Sequence, residues 1–237
     1  MKKPVIGILS KHSETRFMLR PNTLIRDEVK DAIFANGGIA IGILPSMSEI
    51  KLVDNDNEHE IASKLNQLFT QQEVADLEQQ IALCDGIVLQ GGIRSDAYEM
   101  WVAKYCYEHN IPILAICAGQ NNLVRGVGGS VKNIANPEFH KQLAQDYVHD
   151  ITITPDSLFG KIVGVDKMAV NSRHKNVIND PAGLAVTAYD HEGNIEVVEA
   201  RKKKFFLGVR FHPESLYKTD AKHNAIINAL VQACRRV

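Results

Sequence analysis

The chain has 237 residues, 45% hydrophobic and 23% charged, with a formal net charge of -1. That balance fits a soluble folded protein and argues against a global field drawing it to nucleic acid or a membrane. Apolar runs fall short of the ~18 residues of a membrane helix, and the four cysteines (Cys84, Cys106, Cys117, Cys234) show no C-x-x-C spacing. Free thiols in a reducing, cytoplasmic setting are therefore expected.

Val5 to Leu9 reads as a first buried strand, too short and too β-branched for a signal peptide. Asn22 or Thr23 is placed to cap a helix with Ile25, Val29, Ala32 and Ile33 inward, ending at Asn36-Gly37-Gly38. Ile39 to Leu44 is a second strand, and residues 47 to 60 read as a polar, acidic loop. Thr70-Gln71-Gln72-Glu73 has capping-box form and opens a helix to about Leu83. Gly86 to Leu89 is a third strand, broken by Gly91-Gly92. Ser95 then caps a helix carrying Ala97, Met100, Trp101 and Tyr105, and Ile113 to Ile116 is a fourth strand.

Strands alternating with helices indicate a mostly parallel central sheet flanked by helices, a flavodoxin-like three-layer α/β sandwich. Beyond about residue 130 the pattern becomes β-rich. Ile151–Thr154, Met168–Val170, Leu184–Tyr189, Ile195–Ala200 and Phe205–Phe211 read as short strands. His191-Glu192-Gly193-Asn194 and Arg201-Lys202-Lys203-Lys204 read as hairpin turns. Asp220 caps a last helix with Ile226, Ile227, Leu230 and Cys234 inward. Without a repeat, a low-complexity segment or a linker, residues 1–237 are expected to form a single domain.

Reactive groups in such sheets gather beyond the carboxyl ends of the strands. The run Ile113-Leu114-Ala115-Ile116-Cys117-Ala118-Gly119 ends a buried strand in a cysteine followed by small residues. This is the pattern of a sharp strand-to-helix turn that exposes one side chain. A helix N-terminus and a nearby imidazolium can lower a thiol pKa from ~8.5 into the range ~3.5–7.5. His212 sits at another strand end, after Phe205-Phe206-Leu207-Gly208-Val209, and Pro213 stops that strand. Glu214 is placed to hold the far ring nitrogen of His212, so the three residues form a candidate Cys-His-Glu triad. The other cysteines read as buried structural thiols.

The chain resembles a class I glutamine amidotransferase-like protein, closest to the γ-glutamyl hydrolase type known as peptidase C26. The resemblance rests on Asp85-Gly86…Gly91-Gly92, Asp96-Ala97-Tyr98-Glu99, Ala115-Ile116-Cys117-Ala118-Gly119, Gly128-Gly129-Ser130, Val170-Asn171-Ser172-Arg173-His174 and Gly208-Val209-Arg210-Phe211-His212-Pro213-Glu214, in family order. It implies that Cys117 attacks a γ-glutamyl carbonyl to form a thioester. It further implies an oxyanion hole at the backbone N–H groups of Gly92 and Ala118, and substrate contacts near Asn121, Asn171, Ser172 and His174. The expected partner is a small γ-glutamyl substrate, with no cofactor, no metal, no nucleic acid and no membrane. A homodimer and a separate synthetase chain both stay open as protein partners.

Several positions depart from the family pattern. Ala115 stands for a usual glycine, Ala118 for arginine and Asn121 for glutamine. Lys175-Asn176 stands for His-Gln, and Arg210-Phe211 for Gln-Trp. These leave the leaving group open. Two other readings remain: a glutaminase subunit passing ammonia to a synthetase, and a non-catalytic sensor or binding protein built on the elbow cysteine.

Overall fold

The computed structural model describes residues 2–13, 22–45, 58–92 and 96–235. Its strands and helices run in the order β1 (Val5–Leu9), β2 (Lys11–Ser13), β3 (Asn22–Leu24), α1 (Asp27–Ala35), β4 (Ile39–Ile43), α2 (Glu58–Lys64), α3 (Gln71–Ala82), β5 (Gly86–Leu89), α4 (Ala97–His109), β6 (Ile113–Ile116) and α5 (Ala118–Gly126). There follow β7 (Ser130–Asn133), α6 (Pro137–His140), β8 (His149–Ile153), α7 (Leu158–Val163), β9 (Lys167–Val170), β10 (Asn176–Asp180), β11 (Ala185–Tyr189), β12 (Ile195–Glu199), β13 (Phe206–Val209) and α8 (Ala221–Ala233).

Nine strands form one sheet in the order β4-β1-β5-β6-β13-β12-β11-β8-β9. The half from β4 to β13 is parallel. From β13 outward every pairing is antiparallel. The sheet is therefore mixed, and its parallel half carries the expected α/β architecture. Because β13 lies beside β6, the segment before Cys117 and the segment before His212 end at the same edge: Val209 pairs with Ile116.

Alternate strand residues face opposite helical layers, as a two-residue period requires. Ile6, Ile8, Val88, Leu114 and Ile116 meet Val29 and Ile33 of α1, Phe159 of α7 and Ile226 and Leu230 of α8. Ile87, Leu89, Ile113 and Ala115 meet Leu77 and Ile81 of α3, Met100 of α4 and Leu123 of α5. Both faces are buried, so the central strands read as continuous apolar runs rather than alternating ones.

Several sequence expectations shift. Asn22 and Thr23 lie in a short strand paired with β2 instead of capping a helix. Helix α1 begins at Asp27, and the backbone N–H of Arg26 donates to Gln90 Oε1 at 2.9 Å. A side chain 64 residues away supplies what a local cap would have supplied. Residues 58–60, read as loop, begin helix α2, while 47–57 lie outside the described residues. Ser95 also lies outside them, and Asp96 caps α4 by accepting from Tyr98 N–H at 2.8 Å. The capping box at Thr70 forms as expected, with both reciprocal bonds present. Helix α7 and strands β7 and β10 were not foreseen. Ser157 Oγ accepts from Gly160 N–H at 2.8 Å, and Gly164 closes α7 at φ 70°. Among the described residues, no helix is long and apolar enough to cross a membrane.

Candidate active site

Cys117 stands between β6 and α5 at φ 52° and ψ -108°. This is a strained conformation for a residue with a Cβ, and packing on both sides enforces it. Its N–H donates to Val209 O at 2.8 Å, which fixes the end of β6 to β13. On the helical side, a Cβ at Gly119 would lie 2.3 Å from Leu89 O, so only glycine lets α5 start this close to β5. Ala118 is the first residue of α5, where backbone N–H groups lack intrahelical acceptors.

His212 follows β13, and its ring and Cys117 both border the Cβ position of Gly91, so its charge acts on the thiol. Its Nδ1 is 2.7 Å from Glu214 Oε1, so Nδ1 donates to the carboxylate and Nε2 is left for Cys117. Glu214 is 1% exposed, and Pro213 opens the 3-10 turn that carries it. Burial pulls the imidazole down, but the Glu214 carboxylate and then the Cys117 sulfur push it up, to about 10. Burial pushes the Cys117 thiol up, while the charges of His212 and Arg210 pull it down and win. Both shifts run toward a thiolate beside an imidazolium. The remaining thiols go the other way: burial raises Cys84 to about 11 and Cys234 to about 12, and raises Cys106 further.

The residues expected to touch substrate fall into two groups. Asn121, beside the elbow, accepts from Arg210 Nη1 on its carboxamide oxygen at 2.7 Å. Asn171 is 1% exposed and grips the backbone of His212 from both sides. Its Oδ1 accepts from His212 N–H at 2.8 Å and its Nδ2 donates to His212 O at 2.9 Å. Ser172 donates its hydroxyl proton to His140 O at 3.0 Å. The polar groups of Asn171 and Ser172 are thus engaged with protein partners. Asn171 acts as a clamp on the base. His174 is 5% exposed and lies behind Arg210, near Glu196.

Gly91 and Gly92 follow β5 and form the other wall. A Cβ on Gly92 would approach Lys11 Cε to 2.9 Å. Lys11 Nζ is held at 2.6 Å by Glu99 Oε2, which also accepts from Asn122 Nδ2. This brace joins β2, α4 and α5 beneath the glycine loop. Arg210, fully buried, donates to the carbonyl of Cys117 at 3.4 Å. The sequence marked Arg210 only as a departure from pattern, and gave no sign that Lys11 and Glu99, 88 residues apart, would meet.

The family model described as Peptidase C26 matches residues 93–214. The CTP synthase of Chlamydia muridarum (strain MoPn / Nigg) is 28% identical over 190 residues, which are 66% of this chain and 35% of that protein. The chain thus spans 35% of the length of that relative. γ-Glutamyl-γ-aminobutyrate hydrolase PuuD of Escherichia coli (strain K12) is 24% identical over 249 residues, 99% of this chain and 95% of that protein. The glutaminase domain of Trypanosoma brucei CTPS with bound acivicin shares the fold at TM-score 0.65 and 17% identity, covering 99% of this chain and 96% of that chain. A glutamine amidotransferase from Thermotoga maritima shares it at TM-score 0.61 and 13% identity, covering both chains fully, 100% and 100%.

Proposed function

The chain belongs to the peptidase C26 family, with a class I glutamine amidotransferase-like fold, and from that premise we propose that it is a cysteine hydrolase cleaving a γ-glutamyl amide bond. The Cys117 thiolate attacks the γ-carbonyl carbon. The oxyanion forms against the backbone N–H groups of Gly92 and Ala118, a type of contact worth about 2.7–4 kcal/mol per donor in the transition state. Imidazolium His212 gives its proton to the departing ammonia or amine, and the thioester remains on Cys117. Neutral His212 then takes a proton from water, hydroxide attacks the thioester, and glutamate leaves as the thiolate is restored. Glu214 keeps Nδ1 protonated throughout and stabilises each imidazolium.

One observation supports this reading above the rest: His212 is bonded to Glu214 at 2.7 Å while standing against a thiol at φ 52°. A sensor cysteine needs no base oriented in this way. The experiment is a panel of glutamine and γ-glutamyl amines scored for released glutamate. Turnover by the wild type and none by Cys117→Ala, with an unchanged circular dichroism spectrum, is expected. Equal turnover by both would refute the thioester.

The likeness to CTP synthases favours a second reading, a glutaminase handing ammonia to a separate synthetase chain. Glutamine would then be hydrolysed efficiently only with that partner present. Full activity of the isolated chain on a γ-glutamyl amine decides against it.

A further inference from the structure

Behind Arg210 lies a group of side chains that the thioester chemistry leaves unused. His140 ends α6, His149 opens β8, His174 follows β9, Asp190 follows β11 and Glu196 lies in β12. Five separate stretches thus deliver three imidazoles and two carboxylates to one place. None is more than 7% exposed, and His140 and Glu196 are fully buried. One ligand nitrogen of each histidine lies within 4.8 Å of the other two, and His149, Asp190 and Glu196 meet the same limit.

The hydrogen bonds do not account for this convergence. Glu196 Oε1 is 3.9 Å from His149 Nε2 and 3.8 Å from His174 Nε2, beyond hydrogen-bond range. Both oxygens of Glu196 and Nε2 of His149 lack a hydrogen-bond partner among the described residues. Buried polar atoms are costly in that state and call for an explanation. A tetrahedral ion with ligands at about 2.0–2.1 Å holds neighbouring donors ~3.4 Å apart. The two Glu196 separations exceed that by about half an ångström, and the three histidine nitrogens stay within 4.8 Å of one another, so side-chain rotations would have to draw the donors together around an ion.

In His140 and His149 the outer ring nitrogens are arranged as metal-binding histidines require, while both ring nitrogens of His174 lack a hydrogen-bond partner among the described residues. Ser172 directs its proton to His140 O, so its oxygen accepts from His140 Nδ1–H at 3.1 Å. That tautomer leaves a lone pair on Nε2. Yet Nε2 faces Glu192 Oε2 at 3.3 Å and Asp190 Oδ2 at 3.7 Å. A lone pair set against two carboxylates needs a cation between them, either a second proton or a metal. His149 Nδ1 is likewise turned to Asp150 O at 3.4 Å, which directs its Nε2 inward. An acceptor for the far ring N–H is what fixes the tautomer and orientation of a ligating imidazole.

We propose that His140, His149, His174 and a carboxylate from Glu196 or Asp190 bind a divalent transition-metal ion of the zinc class. Three imidazoles and one carboxylate suit zinc and its neighbours, and disfavour magnesium and calcium, which take oxygen ligands. The ion would tie β8, β12 and α6 to the segment that follows β9. That segment carries Asn171, the clamp on His212. The competing account is a network of shared protons around an imidazolium at His140, with no ion.

Metal content separates the two without any measurement of hydrolysis. Wild-type protein, stripped with a chelator and dialysed, is titrated with zinc against a chromogenic chelator and with cobalt(II) under visible absorption. Stoichiometric zinc uptake, an intense tetrahedral cobalt band and a raised melting temperature with zinc are expected, with magnesium and calcium inert. Ser172→Ala, which removes only the outer partner of His140, should weaken zinc binding by about 10–100-fold. The double variant His140→Ala/His149→Ala should abolish the cobalt band. Wild type that takes up no stoichiometric zinc or cobalt, or zinc binding undiminished in the double variant, overturns the proposal. Because the wild-type titration alone is decisive, misfolding of a variant cannot rescue the idea.

Discussion

Gly91 makes room for His212: a Cβ at Gly91 would lie 2.7 Å from His212 Cε1 and 3.6 Å from Cys117 Cβ. This glycine, two residues beyond β5, therefore sets how closely the base can approach the thiol. Gly91→Ala should push the imidazole aside while leaving the sheet intact. A misplacement of ~1 Å costs on the order of 100-fold in rate. A drop of that size in kcat, with KM little changed and the thermal melt preserved, is expected from steady-state kinetics.

The thiolate at Cys117 should be visible in its pH dependence. Alkylation by iodoacetamide follows the thiolate fraction, so its acid limb should fall below the ~8.5 of a free cysteine. His212→Ala removes the main positive charge but leaves the burial, so the limb should move above the ordinary value. The sign follows from the opposing causes on Cys117, burial raising and His212 lowering. Turnover needs His212 protonated to release the amine, so it should decline as pH passes about 10 while alkylation persists. Mass spectrometry of the modified peptides checks that Cys106 and Cys234 stay unreacted. An acid limb at or above 8.5 in the wild type would contradict the ion pair.

Asn171→Ala should damage catalysis through His212 instead of through substrate affinity. The variant loses both bonds to the His212 backbone, each worth about 0.5–1.5 kcal/mol to stability. The expected result is a loss of about 1–3 kcal/mol in urea denaturation and a fall in kcat larger than any rise in KM. A rise in KM alone would return Asn171 to the substrate pocket.

Lys11→Met should unseat the brace under Gly92. Glu99, fully buried, would keep only the Asn122 amide as a partner for Oε2. Breaking a buried pair costs about 3–5 kcal/mol, and the lower end is expected because Glu99 can take up a proton. Burial already pushes the Glu99 carboxyl up, with Lys11 opposing it. Without Lys11 its folded pKa rises further above the unfolded ~4.3, so the deficit should shrink as pH falls toward that value. Chemical denaturation at two pH values tests this.

The local sequence determined much of this protein. The apolar runs of β1, β5 and β6 are readable because both of their faces are buried, and the capping box at Thr70 and the Asp220 cap because their contacts lie within a few residues. The elbow at Cys117 and the string His212-Pro213-Glu214 were legible for the same reason: small residues and proline fix the backbone where they stand. Tertiary structure decided the rest. Whether β13 would join β6 depended on strand order, and that pairing is what sets His212 against Cys117. Asn171 reads as a polar loop residue until β9 and β13 are assembled, and then it holds the His212 backbone. Helix α1 starts where Gln90 meets Arg26, and Lys11 finds Glu99 across 88 residues. His140, His149, His174 and Glu196 have no revealing spacing, because a period along the chain reports only neighbours on one element. Their encounter belongs to the antiparallel half of the sheet.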